Sequence, residues 1–536
     1  MSPSRLEREQ RKREREREGI WWHLPFIGCH VMIISLYTGN CHRQRTCFCC
    51  RGVQEEAAAS SAGMGSSTTA AAKPHVVLVP FPAHGHVAPH VQLGRVLRAR
   101  GAHVTLVHTE LHHRRLLLAR GGEAPADEGG LDVEVIPDGL SLDDPPRTLR
   151  AHHEAMERNC LEPLKALLRD MLRGRPGAPP VTCVVADTPM PFAAAAARAV
   201  GVPDVQFFTA SACGLICYLQ FPELLARGAI PLKPGYESDG SLDAPLEWVP
   251  GMKGVRLRDM PTFCHTTDAD EWLVHFHIHQ TRTAAASGAI ILNTFYDMEK
   301  DVVDALAPLL PPLYTVGPLA GVIAASSPPS SSPPASGATS LLQEDRECMA
   351  WLDGKAARSV VYLSFGSHAS MKGARLREFA AGLARCGSPY LWVLRPDMAA
   401  EVEAAGEGGL VVPWCAQEAV LAHPAVGLFV THCGWNSILE SVAAGVPVLG
   451  YPVLSEQTTN CRQVCTAWGI GGELPQEAGS EEIAALVREM MTGKKGMEAR
   501  DKTLEWKRLA EASAKEGGSS YENIGRLMEN VLLKGL

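Results

Sequence analysis

VGLFVTHCGWNSILESVAAGVPVLGYP, residues 426–452, decides how the chain folds. Residues 426–433 open it as a near-continuous apolar run, the pattern of a strand buried on both faces of a parallel sheet. Gly434 then allows a sharp turn. Residues 436–445 read as a helix, and 446–452 as a second strand. Strand, helix and strand in immediate succession make a βαβ unit. The turn sends the main-chain N–H groups of Asn436 and Ser437 along the start of the helix, where amides and helix dipole together suit a diphosphate.

The same alternation extends in both directions. Strands are expected at 75–81, 103–109, 131–137, 181–187 and 202–208, and again at 359–367, 389–395 and 409–415. Helices are expected between them, for example at 87–101, closed by Gly101, and at 373–385. Residues 323–338 (IAASSPPSSSPPASGA) are Ser, Pro and Ala and read as an exposed linker. The organisation expected is therefore an extension over 1–63, a Rossmann-like domain over 64–320, a linker over 321–340, a second Rossmann-like domain over 341–505, and helices over 506–536 that pack back on the first domain. An S-x-x-E capping box at Ser519–Glu522 is expected to open the last helix. Two doubly wound sheets place a cleft between the carboxyl ends of their strands, where ligands bind in such folds.

Bulk properties narrow the partners. Of the 536 residues, 46% are hydrophobic and 21% charged, ordinary for a globular protein. With a net charge of -8 and no basic stripe after residue 60, nucleic acid is not an expected partner. Five of the 16 cysteines (Cys29, Cys41, Cys47, Cys49 and Cys50) crowd the start, and the other eleven show no repeating spacing. That usage indicates reduced, mostly buried thiols and a cytoplasmic protein. Residues 20–38 are apolar but broken by His, Pro and Gly, too interrupted for a membrane span, so no stable membrane insertion is expected. Met64, just ahead of the first strand, reads as a natural beginning.

The residues placed at strand ends carry the chemistry. His432 and Ser437 add side-chain donors to the amide cradle, and Glu440, one turn after Asn436, is set to accept from ribose hydroxyls. Trp414 offers a flat face to a base. Glu456 and Gln457 form a carboxylate–amide pair suited to vicinal sugar hydroxyls. Phosphate, base and sugar sites together point to a nucleotide sugar.

Residues 414–457, beginning with Trp414, containing HCGWNS and Glu440, and ending at Gln457, resemble the signature box of plant family-1 UDP-glycosyltransferases. The resemblance runs from about residue 74 to the end. It implies a GT-B fold and an inverting, metal-independent reaction with no cofactor, UDP-glucose being a co-substrate. It assigns Trp414 to uracil stacking and Gln417 to the uracil edge. His432, Asn436, Ser437 and Ser367 fall to the diphosphate, Glu440 to the ribose, and Trp435, Glu456, Gln457 and Thr209 to the sugar. From the PFPAHGHVAP segment it selects His86, after the glycine, as general base, and Asp187 of VVADTPMPF as the carboxylate that orients it. A neutral imidazole accepts a proton near neutral pH, and a carboxylate on its other nitrogen fixes the tautomer. His84 is expected at the rim.

HHRRLLLARG (112–121), IPDGL (136–140), VPGMKGVRLRDMP (249–261), AIILNTFYDME (289–299) and TNCRQVCTAWGIG (459–471) are similar to the branch holding cyanohydrin, cytokinin and diterpenoid glucosyltransferases. The expected reaction is transfer of glucose to a hydroxyl of a small lipophilic plant metabolite, giving a β-O-glucoside. The segment 396–414 is shorter than the family's, and it motivates an alternative, a catalytically weak UDP-sugar-binding protein. A membrane-bound lumenal glucuronosyltransferase is disfavoured, because 499–536 is amphipathic and charged. Asp268 and Asp270 form a D-x-D string in a polar loop away from any phosphate turn and are not expected to hold a metal.

Overall fold

Near-continuous Val, Leu and Ile runs become the buried strands of two parallel sheets in the computed structural model. It describes residues 73–120, 130–146, 148–326, 344–345, 347–367, 371–399 and 408–533. The first sheet contains β1 (His75–Val79), β2 (His103–Thr109), β3 (Asp132–Ile136), β4 (Cys183–Asp187), β5 (Asp204–Phe208), β6 (Ile290–Leu292) and β7 (Leu313–Thr315), in the order β3-β2-β1-β4-β5-β6-β7. The second contains β8 (Val360–Ser364), β9 (Tyr390–Val393), β10 (Gly409–Val412), β11 (Val426–Thr431), β12 (Val448–Gly450) and β13 (Gly471–Glu473), in the order β10-β9-β8-β11-β12-β13. Every neighbouring pair is parallel, as βαβ crossovers require. This is the expected GT-B arrangement of two doubly wound sheets.

In each sheet the chain order reverses once, between β1 and β4 and between β8 and β11. Such switch points leave a crevice beyond the strand ends. Register sets Val79 beside Ala186 in the first sheet and Ser364 beside Thr431 in the second. The turns that follow carry the residues of interest.

The expected helices at 87–101 and 373–385 are observed as His84–Ala99 and Gly373–Cys386, and the helix within the opening segment spans Trp435–Ala444. Gly101 closes the first with φ +93, a left-handed geometry that glycine adopts without strain. Three strands, β6, β7 and β13, are absent from the sequence reading. Each has three residues, too few for a periodic pattern. The capping box at Ser519 is not formed: Gly518 is the N-cap of helix Ser519–Leu527 and no side chain caps it. Part of the expected linker is also helical. Residues 321–326 belong to helix Leu319–Ser326, which buries Leu319 and Val322 against the first sheet. Residues 327–340 of that linker, the extension 1–63, and 400–407 of the short 396–414 segment lie outside the described residues.

The chain ends on the first sheet. Helix Lys494–Ala514 leads from the second half back to the first. Ile524, Leu527 and Leu532 then enter the core beneath β1 and β2. Ser520 Oγ donates to the Gly317 carbonyl at 2.6 Å, and Asn523 Nδ2 to the Thr315 carbonyl at 3.1 Å. The eleven described cysteines are free, and ten are buried. Among the described residues no helix is long and apolar enough to cross a membrane.

Candidate active site

His86 lies in the first turn after β1, and Asp187 is the last residue of the adjacent β4, so sheet pairing alone brings them together. His86 Nδ1 and Asp187 Oδ2 are 2.8 Å apart. The Phe81 amide donates to the same Oδ2 at 3.0 Å. Donation of the Nδ1 proton to the carboxylate leaves Nε2 as the basic nitrogen. Asp187 is fully buried, while the His86 side chain is 32% exposed and open to the cleft.

The electrostatics follow from this asymmetry. Burial works to lower the His86 pKa, but the Asp187 charge, its hydrogen bond and the charge of Glu456 outweigh it, and the pKa is raised above 6.5. Burial works to raise Asp187, but the charge and hydrogen bond of His86, assisted by His90 and the Phe81 amide, hold it below its usual value. Thr209 Oγ1 lies 3.0 Å from His86 Nδ1, so Thr209 is placed on the base.

The second wall begins at β8 and β11. The His432 ring lies between two turns: a Cβ on Gly366 would come within 2.7 Å of it, and one on Gly434 within 2.4 Å. Both glycines are therefore required by close approach. Cys433, between His432 and Gly434, has φ +62. Ser367 follows Gly366, half-buried at the end of the β8 turn. Helix Trp435–Ala444 starts at Gly434 with no side-chain cap, so its first N–H groups remain for an anion.

Ser437, Gln417 and Glu440 form one network. Gln417 Nε2 donates to Ser437 Oγ at 2.9 Å and to Glu440 Oε2 at 2.6 Å, and Tyr362 donates to Gln417 Oε1 at 3.1 Å. Burial, with the charge of Glu418 beside it, pushes the Glu440 carboxyl up to about 8, against the opposing Gln417 hydrogen bond. Trp414 meets the His84 ring edge-on at 5.7 Å.

Several contacts join the walls. Asn436 Nδ2 donates to the Gly85 carbonyl, next to His86, at 2.9 Å. Asn436 Oδ1 is buried without a protein partner. Glu456 packs so closely on Gly214 that a Cβ there would come within 2.9 Å of its Cγ. Gln457 differs from expectation in part: its Oε1 accepts from the Val453 and Leu454 amides, both at 2.9 Å, leaving the Nε2 group for a ligand. Trp435 differs more. Its indole is 3% exposed and donates to the Asn293 carbonyl at 2.7 Å, so the ring belongs to the seam between the halves.

Sequence reasoning missed Asn460, which accepts from Ser211 Oγ at 2.7 Å and donates to the Cys433 carbonyl at 3.0 Å, bridging the two halves. It also missed His90. One turn below the base, His90 Nδ1 lies 2.8 Å from the His86 carbonyl. A buried polar residue in a helix carries no signal of the partner it meets. Beside the base, Phe81 lies 5.3 Å from the His86 ring and stacks on His153 at 4.9 Å, and Phe276 continues the wall at 4.3 Å. Behind it opens a cavity of about 470 Å³ lined by His153, Pro191, Trp272 and Phe276 among others.

Two doubly wound sheets, with an oriented imidazole on one and an uncapped helix N-terminus on the other, match an enzyme acting on nucleotide-activated groups. The family model for UDP-glucoronosyl and UDP-glucosyl transferases matches residues 122–499. The chain is 42% identical over 481 residues to 7-deoxyloganetin glucosyltransferase of Catharanthus roseus, covering 87% of this chain and 98% of the relative. It is 43% identical over 473 residues to (R)-mandelonitrile beta-glucosyltransferase of Prunus dulcis, covering 86% and 98%. Among solved structures, Os79 from O. sativa in complex with UDP superposes with a TM-score of 0.72 at 29% identity, covering 86% of this chain and 100% of that one. The chain belongs to the plant UDP-glycosyltransferase family and is a UDP-glycosyltransferase.

Proposed function

We propose that the protein transfers glucose from UDP-glucose to a hydroxyl of a small lipophilic metabolite, with inversion, giving a β-O-glucoside. The observation that carries this reading is the 2.8 Å His86–Asp187 pair, tied to the donor turn through the Asn436–Gly85 hydrogen bond. His86 Nε2 takes the acceptor proton as the oxygen attacks the anomeric carbon. Asp187 steadies the imidazolium. UDP departs on the opposite face. His432, Ser367, Ser437, Asn436 and the helix N-terminus bind the diphosphate and stabilise its growing charge, a role that fixed dipoles fill without a metal. No cofactor is required. Trp414 and Gln417 hold the uracil, Glu440 the ribose, and Glu456 with the Gln457 amide the glucose. Thr209 completes the sugar site while holding the base.

The printed activities of the two relatives, both glucosyltransferases, support glucose as the transferred sugar. The aromatic wall of Phe81, His153 and Phe276 supports a lipophilic acceptor. The free, mostly buried thiols support a cytoplasmic location. The test is UDP release from UDP-glucose across a panel of alcohols, with the anomeric configuration of each product read by NMR. β-Glucosides from wild type and none from His86→Ala are expected. UDP-glucose binding with no turnover on any alcohol would instead select the weak-binding alternative.

A further inference from the structure

Outside the cleft, helix Gln457–Cys465 carries Cys461 and Cys465 one turn apart. The i, i+4 spacing sets both sulfurs on one helix face. Glu473 ends β13, against which this helix packs. The two Sγ atoms and a Glu473 carboxylate oxygen all lie within 4.8 Å of one another. Of the eleven described cysteines Cys465 is the exposed one, so the cluster has an opening to solvent. We propose that Cys461, Cys465 and Glu473 form a binding site for a thiophilic divalent cation of the Zn²⁺ type, with water in the fourth position.

The geometry and the charges are both suited to this. Tetrahedral zinc with bonds of about 2.0–2.3 Å holds its ligand atoms somewhat under about 4 Å apart, so small rotamer changes close the site. Two thiolates and a carboxylate are the ligand types that select Zn²⁺ over harder cations. On binding, the two thiols, whose sulfurs lie within 4.8 Å of each other, release their protons to solvent. The resulting complex carries one net negative charge. Lys495 beside Cys465, and Arg256, Arg258 and Arg462 around Glu473, offset it, with Asp259 the opposing charge.

The site lies outside the reacting groups but is joined to them. Cys461 Sγ also lies beside the sulfur of Cys433, the neighbour of His432. The two sulfurs crowd the space beside Gly450, where a Cβ would come within 2.6 and 2.7 Å of them. Gln457, at the other end of the helix, is about 12 Å away at about 1.5 Å per residue. Capture of Cys461 by a metal therefore pulls on the contact beneath the donor turn. The binding site rests on geometry alone; the coupling rests on the donor role proposed for that turn.

The experiment is Co²⁺ titration of the reduced full chain, following thiolate-to-metal charge-transfer absorbance, with Zn²⁺ as competitor. Cys29, Cys41, Cys47, Cys49 and Cys50 can also bind Co²⁺, so the readout is the difference from Cys465→Ser. The proposal predicts one Zn²⁺-displaceable equivalent in wild type that is lost in Cys465→Ser and weakened at least tenfold in Glu473→Gln. Equal stoichiometry and affinity in wild type and Cys465→Ser overturn the site. Stoichiometric Zn²⁺ is further expected to change KM for UDP-glucose more than kcat in wild type, and neither in Cys465→Ser. An unmoved wild-type KM with zinc bound overturns the coupling.

Discussion

Asp187 shows what a single residue decides. It keeps the His86 Nδ1 proton in place and raises the pKa of the base against the effect of burial. A general base works when unprotonated, so kcat/KM is expected to rise with pH and level off above that raised pKa. In Asp187→Asn the main raising influence is gone and burial prevails. The rise is then expected at lower pH, with kcat reduced by about 10²-fold or more because the tautomer is no longer fixed. A pH–rate series on both proteins checks this, and an unmoved midpoint contradicts it. His86 and Asp187 were legible as residue types at strand ends, but the choice of His86 among four nearby histidines came from the family pattern. The second role of Thr209 was not legible, because a hydroxyl after a strand carries no mark of its partner. The packing of the Trp435 ring was not legible, because a tryptophan in a glycine turn reads alike whether its ring faces a ligand or a seam; the Asn293 carbonyl holds it in the seam.

At the scale of the element, the turn from β11 into helix Trp435–Ala444 is shaped by two missing side chains. A methyl on Gly434 would come within 2.4 Å of the His432 ring. Gly434→Ala is expected to push His432 out of place and raise KM for UDP-glucose at least tenfold, leaving the His86–Asp187 pair intact. Steady-state kinetics with varied donor check it, and an unchanged donor KM contradicts it. This βαβ unit was legible because β11 is a buried apolar run of six residues that leads through a glycine turn into a helix, and β12 lies in the apolar run that follows it. β6, β7 and β13 were not, because three residues show no period and their place is set by neighbours in the sheet. The capping box failed because Ser519 is the first helical residue and not the cap, and its hydroxyl is buried without a partner.

The whole molecule depends on contacts that no local pattern reveals. The final helix closes the first half, although it follows the second in sequence. Ile524 is fully buried in the core beneath β1. Ile524→Ala is expected to cost about 2–5 kcal/mol and lower the melting temperature measurably, with KM for UDP-glucose near wild type in the folded fraction. Calorimetry checks the first part and kinetics the second. The two-sheet architecture was legible from alternation alone. The clamps between the halves, Asn436 to Gly85 and Ser211 to Asn460, were not, since their partners lie hundreds of residues apart.

In the proposed reaction one wall of the cleft binds UDP-glucose while His86 on the other activates the acceptor. The most direct test is His86→Ala, with UDP-glucose affinity measured by calorimetry and glucosyl transfer measured in a single turnover. A Kd within a few-fold of wild type and a transfer rate lower by about 10²–10⁴ are expected. Transfer at the wild-type rate, with donor binding unchanged, would contradict it.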